Sequence, residues 1–180
     1  MKKFLIAGAL SVFAVTNAFA MDKPFGGEKD VAYAKELWDM MSAVALVGPN
    51  MTQTHAYEGG APHGAILTTA QRKLTMGDHT GDIIVKHNYG GEGIDEDEVM
   101  EDPAKWLKAV TVMYRREEGY DADNADWFWV KYAADGSIDT NPKGAMLAGR
   151  VAKGADVGCI ACHSGAGGDD YVFTHDQFAN

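Results

Sequence analysis

Residues Cys159-Ile160-Ala161-Cys162-His163 set two thiols three positions apart and an imidazole directly after the second. Thiols at that spacing can add to the two vinyl groups of a haem while the next residue ligates its iron, so the run has the form of a c-type haem attachment motif. Other uses of paired cysteines fit less well. A zinc site wants two further Cys or His ligands at set spacing, and the chain has only these 2 cysteines. A thioredoxin-like site wants a βαβ surround and gives the histidine no task. The expectation is one covalently bound haem c, with Cys159 and Cys162 as thioether anchors and His163 as axial metal ligand.

The opposite face of that iron decides function. A methionine there makes an electron-transfer centre, a second histidine usually a lower-potential one, and an empty position lets a small molecule bind. Met113, Met146, His55, His63, His79, His87 and His175 are all candidates, and each has an ordinary reading as core, turn or strand-end residue. The sequence selects none of them.

The elements that must position this site follow from periodicity. From Asp30 to Val47 the apolar residues Val31, Ala34, Leu37, Trp38, Met41, Val44 and Ala45 recur at three- and four-residue steps, which predicts a helix that Gly48-Pro49 stops. Short β-type runs follow at His63–Thr69, Asp82–Asn88, Ala109–Arg115 and Asp126–Tyr132, each bounded by Gly, Asn or Asp. Asp102-Pro103 reads as a capped helix start, Asp135-Gly136 as a turn, and Pro142 to Lys153 as a second helix ended by Gly154. The expected fold class is α+β: an antiparallel sheet flanked by helices, with a C-terminal haem attachment segment. Trp127, Phe128, Trp129 and Tyr132 load both faces of one strand with rings, as expected when a helix packs on one side and something bulky on the other.

Residues 1–20 carry Lys2 and Lys3, an apolar run from Phe4 to Val15, and Ala18-Phe19-Ala20, the three parts of a secretory signal peptide cleaved after Ala20. The expectation is a periplasmic protein with no stable membrane anchor after cleavage and a single domain over 21–180. Cleavage would leave 14 basic and 26 acidic residues, a charge of −12, which repels phosphates and disfavours nucleic acid as a partner. The chain of 180 residues, 46% hydrophobic, is sufficient for one ordinary core. Seven of the eleven residues from Glu92 to Asp102 are acidic. They lack the glycine and ligand spacing of an EF-hand and read as a solvated loop, with a docking patch for a basic redox partner as the functional alternative.

About 138 mature residues precede Cys159 and 17 follow His163, unlike the small helical electron carriers whose motif lies near the N-terminus. The pocket must therefore be built by upstream sheet and helix. With Gly60-Ala61-Pro62-His63-Gly64-Ala65, Gly81-Asp82-Ile83-Ile84-Val85-Lys86, Trp127-Phe128-Trp129-Val130-Lys131-Tyr132, the late CIACH and Tyr171-Val172-Phe173-Thr174 in order, the chain resembles the cytochrome P-460 family, related to the cytochromes c'-beta. The resemblance implies a five-coordinate haem with proximal histidine, binding of hydroxylamine or nitric oxide, and dimers of the kind common among relatives. It also makes Lys86 the candidate for a lysine joined covalently to the haem edge; the alternative is a strand lysine reaching solvent. Strand alternation puts Asp82, Ile84 and Lys86 on one face and Ile83, Val85 and His87 on the other. Hydroxylamine-oxidising members are thought to use a distal carboxylate, and the strand expected to supply it, Ala109–Arg115, has none. Enzyme and gas binder therefore both stand, with a six-coordinate, non-enzymatic electron carrier as the rival reading.

Overall fold

The computed structural model describes residues 23–173, so the expected leader and His175 lie outside the described residues. Helix α1 spans Glu28–Ala43, and the Gly27 amide donates to Asp30 Oδ2 at its start. Its buried stripe of Ala34, Leu37 and Met41 is the i, i+3, i+7 face that the periodicity predicts. Six strands follow: β1 (Ala56–Glu58), β2 (Ile66–Met76), β3 (His79–Tyr89), β4 (Leu107–Arg115), β5 (Trp127–Ala133) and β6 (Ala148–Gly149). They form one antiparallel sheet in sequence order. Between β3 and β4 lie α2 (Glu96–Glu101) and α3 (Pro103–Trp106), capped by the Asp95 and Asp102 carboxylates on the Glu98 and Lys105 amides. Helix α4 is the attachment motif itself, Cys159–His163. The α+β expectation holds.

Alternation sorts the two faces of the sheet. Ile83, Val85, Val110, Val112, Tyr114, Phe128, Val130 and Tyr132 pack against α1 in the main core. Tyr132 donates its hydroxyl to the Ala34 carbonyl at 2.6 Å, pinning helix to sheet. Ile84, Met113, Trp127 and Trp129 point the other way and pack with Val151 and Ile160, so the bulky occupant of the second face is the C-terminal attachment segment.

Two elements differ from the sequence reading. No helix forms over Pro142–Lys153: Asn141 Oδ1 accepts from the Lys143 and Ala145 amides, Gly144 has φ +77°, and Thr140 pairs with Met146. The segment turns back as a hairpin and its Ala148–Gly149 pairs with Trp129 and Val130. The apolar run Ala145–Ala148 covers β5, and local propensity loses to that pairing. Strand β2 begins at Ile66 rather than His63, because His63 closes a turn by donating its amide to Gly60. It then runs on to Met76 through exposed Gln71, Arg72 and Lys73, held by eleven register pairs with β3. Among the described residues no helix is long and apolar enough to cross a membrane.

His87 falls on the α1 side of the sheet, 3% exposed, with Nδ1 3.3 Å from Thr68 Oγ1. Burial pushes its pKa from 6.5 down to about 4, opposed by a backbone hydrogen bond with Leu46. The unfolded chain therefore takes up this proton first. The stabilising effect of neutral His87 is complete above about pH 6.5 and is lost as pH falls towards 4. Urea midpoints at about pH 7.5 and pH 4.5 should show roughly 2 kcal/mol less acid destabilisation in His87→Leu than in wild type. Equal pH dependence in the two proteins would refute this.

Candidate functional site

Helix α4 places Cys159, Cys162 and His163 at i, i+3 and i+4, which is one helical face. Both thiols are free, and burial pushes that of Cys159 up. Gly158 makes this start feasible. Its φ is +137°, and a Cβ there would lie 2.2 Å from Ala152 Cβ. Gly158→Ala should lower stability by about 1–3 kcal/mol and with it the yield of loaded protein, read as thermal midpoint. An unchanged midpoint would contradict the close approach.

His163 is held on several sides. Its Nδ1 donates to the Tyr171 carbonyl at 2.8 Å, and Tyr171 is fixed in turn by its hydroxyl on the Asp123 carbonyl at 3.0 Å. The rings of Trp129, Phe173 and His63 stand 4.9, 5.3 and 6.2 Å from it, centre to centre. Nε2 has no hydrogen-bond partner among the described residues. A histidine whose Nδ1 proton is committed to a backbone carbonyl presents its Nε2 lone pair, the state a metal-ligating imidazole needs.

The sheet face opposite α4 carries Lys86, Thr111 and Lys131 as register partners across β3, β4 and β5. Lys86 thus points to the same side as Ile84, as alternation predicts. It lines a cavity of about 320 Å³ with Tyr57, Glu58, Pro62, His63, Leu67, Cys162, His163 and Phe173. Burial pushes the Lys86 pKa down, towards the neutral amine. No ion pair is formed by Lys86 among the described residues, whereas Lys131 is paired with Asp139 at 2.8 Å. Burial, then the nearby Lys86 charge and His163, hold His63 down at about 4, with an Asn88 hydrogen bond opposing. Burial likewise lowers the His163 pKa, the Tyr171 hydrogen bond opposes this, and Lys86 adds to the lowering.

Of the candidate sixth ligands among the described residues, His63 alone lines the cavity with His163. His55 is exposed, His79 sits at the far end of β3 with Nε2 on the Arg115 carbonyl, and His87 is on the opposite face. Met113 is core, and Met146 is 39% exposed on the hairpin. The cavity face of β4 offers Ala109, Thr111 and Met113 and no carboxylate. Sequence reasoning missed Tyr57, Glu58 and Phe173 as wall residues. Glu58, exposed on β1, is the carboxylate of that wall. The donor set fits a haem: Cys162, an imidazole with a free Nε2, Lys86 and the Tyr57 and Phe173 rings line one space, and Cys159 lies on the same face of α4 as Cys162. Beside the His163 ring, Trp129 Nε1 is buried without a partner among the described residues.

A six-stranded antiparallel sheet with a CxxCH helix laid across one face defines an α+β haem-binding cytochrome. The family model described as Cytochrome P460 matches residues 29–174, and the chain belongs to that family of haem cytochromes. No curated protein and no solved structure matches the chain.

Proposed function

We propose that this protein is an exported mono-haem c-type cytochrome that binds hydroxylamine or nitric oxide at an iron left open opposite His163. The observation that carries this reading is the convergence of His163, with Nδ1 tied to Tyr171 and Nε2 free, with Cys162 and the half-buried Lys86 on one cavity. Cys159 and Cys162 would hold the haem by thioether bonds and His163 would ligate it. Bound haem would supply a one-electron redox centre with a coordination position for a small ligand. The chain's own part is to fix the His163 ring through Tyr171, to wall the site with Trp129 and Phe173, and to keep Lys86 as an amine able to bond the haem edge. Oxidation of the bound species belongs to the same reading, with Glu58 as the carboxylate of the cavity wall.

The signal-peptide pattern supports a periplasmic product, cleaved after Ala20 and folded as one domain over 21–180. Its acidity suits a basic redox partner, and a homodimer follows the habit of relatives. One specific observation favours a second reading: His63 is a second imidazole in the same cavity, so a closed, bis-histidine electron carrier is the rival. Carbon monoxide added to the reduced protein separates the two. A rapid, large change in the haem spectrum is expected; indifference to the gas contradicts the open site and supports the carrier.

A further inference from the structure

Eight residues after His163 the chain returns to it, and it does so in a conformation that costs energy. Tyr171 has φ +65°, in the left-handed region that a non-glycine residue occupies only where its surroundings hold it there. Two anchors hold it. On one side buried Trp127 of β5 donates Nε1 to the Asp170 carbonyl at 2.7 Å, and Asp170 Oδ1 accepts from the Val172 amide at 3.1 Å. On the other the Tyr171 hydroxyl reaches the 121–126 turn, where the Asp123 carbonyl lies at 3.0 Å and Asn124 Oδ1 at 3.2 Å. That turn is a fixed point. Buried Asn124 donates Nδ2 to Asp121 Oδ2 at 2.9 Å; the Asp121 side chain is wholly buried and pairs with Lys153, and the Asp121 amide donates to Asp126 Oδ1 at 2.8 Å. A buried carboxylate held by an ammonium and an amide resists displacement, because losing either partner leaves a desolvated charge unpaired. What the two anchors aim is the Tyr171 carbonyl, which accepts from His163 Nδ1 at 2.8 Å. A carbonyl has no proton to give, so the direction of that bond is fixed.

We propose that Asp121 and Asn124, through the Tyr171 hydroxyl, hold this strained carbonyl on His163 Nδ1, and so make the imidazole a stronger donor and lower the reduction potential of the iron it ligates. This rests on the His163 ligation in the reading above and is independent of what lies opposite. A hydrogen bond accepted from Nδ1–H shifts electron density towards Nε2, and the more basic nitrogen favours the ferric over the ferrous ion. The strain supports the assignment. Glycine would take that backbone without penalty, and a tyrosine there is explained by the contact its hydroxyl makes with the 121–126 turn. Asp121, Asn124 and Tyr171 act through His163 and are positioning residues.

Redox titration of the haem-loaded protein and resonance Raman spectra of its reduced form test this. Tyr171→Phe keeps the ring beside Trp129 and removes the hydroxyl alone. At the wild-type midpoint it is expected to shift the iron about threefold towards the ferrous state, a potential roughly 30 mV higher, with a lower iron–histidine stretching frequency. Asn124→Ala should move both readouts in the same direction. The two substitutions together should move them no further than Tyr171→Phe does, since both act through one carbonyl. A purely structural role would lower the thermal midpoint and leave potential and stretching frequency in place. Unchanged potentials in both single variants overturn the tuning assignment and leave His163 ligation standing. A haem spectrum that His163→Ala leaves untouched overturns the ligation and this inference with it. A reduced wild type with no iron–histidine band overturns the open site instead, and the potentials still decide the tuning. Should one single variant fail to fold, the other is read by the same criteria.

Discussion

In a chain that also carries Lys86→Ala, so that no lysine bond can hold the haem, replacing Cys159 and Cys162 together by alanine is expected to abolish retention of haem by the denatured chain. The wild type should keep all of its colour through acid and organic extraction, because thioether bonds survive unfolding whereas a histidine–iron bond does not. Single replacements should leave a one-armed attachment, with the extracted fraction small and the absorption bands displaced by the unreacted vinyl. The double variant should surrender essentially the whole of its haem. The positions justify so large an effect: the two thiols share one face of α4 and neither is spent in a disulfide. Complete retention in the double variant would place the attachment elsewhere and remove the basis for assigning His163.

Lys86→Ala carries the second large effect. Lys86 lies on the cavity side of β3, beside Thr111 in the register and in the wall that Cys162 and His163 share. Burial lowers its pKa, which raises the share of the neutral amine, the nucleophilic form. A bond from Nζ to the haem edge replaces one N–H and one C–H, so its formation is a two-electron oxidation that needs a peroxide during maturation, which is reduced to water as the two hydrogens leave. The cross-linked chain is lighter by a pair of hydrogens than the same loaded chain without the bond. Intact mass should therefore show that deficit in wild type and not in Lys86→Ala, and the variant should revert to an ordinary haem c spectrum. Matching masses, corrected for the substitution, and matching spectra would return Lys86 to a plain strand lysine.

What could be read from the residues in order and what could not divides along the range of the interactions. Helix α1 and the cores of β3, β4 and β5 were legible because burial on one or both faces writes a period of 3.6 or 2 into the chain. The orientation of Lys86 followed from the same alternation. The hairpin over 141–149 was not legible: Ala145-Met146-Leu147-Ala148 satisfies a helical pattern locally, and only pairing with β5 and the turn at Asn141 decide otherwise. Strands β1 and β6, of 3 and 2 residues, are too short to show any period. In the site, CIACH was legible because its chemistry is encoded in five consecutive residues. The contact of His63 with Thr111 spans 48 positions, and that of His163 with Tyr171 uses a backbone carbonyl that any residue could supply. Tyr57, Glu58 and Phe173 line the cavity through tertiary placement alone, and nothing local marks them. That face of β4 carries Ala109, Thr111, Met113 and Arg115 and so no carboxylate; Glu58 enters from the sheet edge instead.

Iron content and visible spectrum of the protein purified from a host able to mature c-type cytochromes test the central claim most directly. One iron per chain, a haem spectrum, and colour that migrates with the denatured polypeptide are the predicted result. A colourless, iron-free protein from such a host would contradict it.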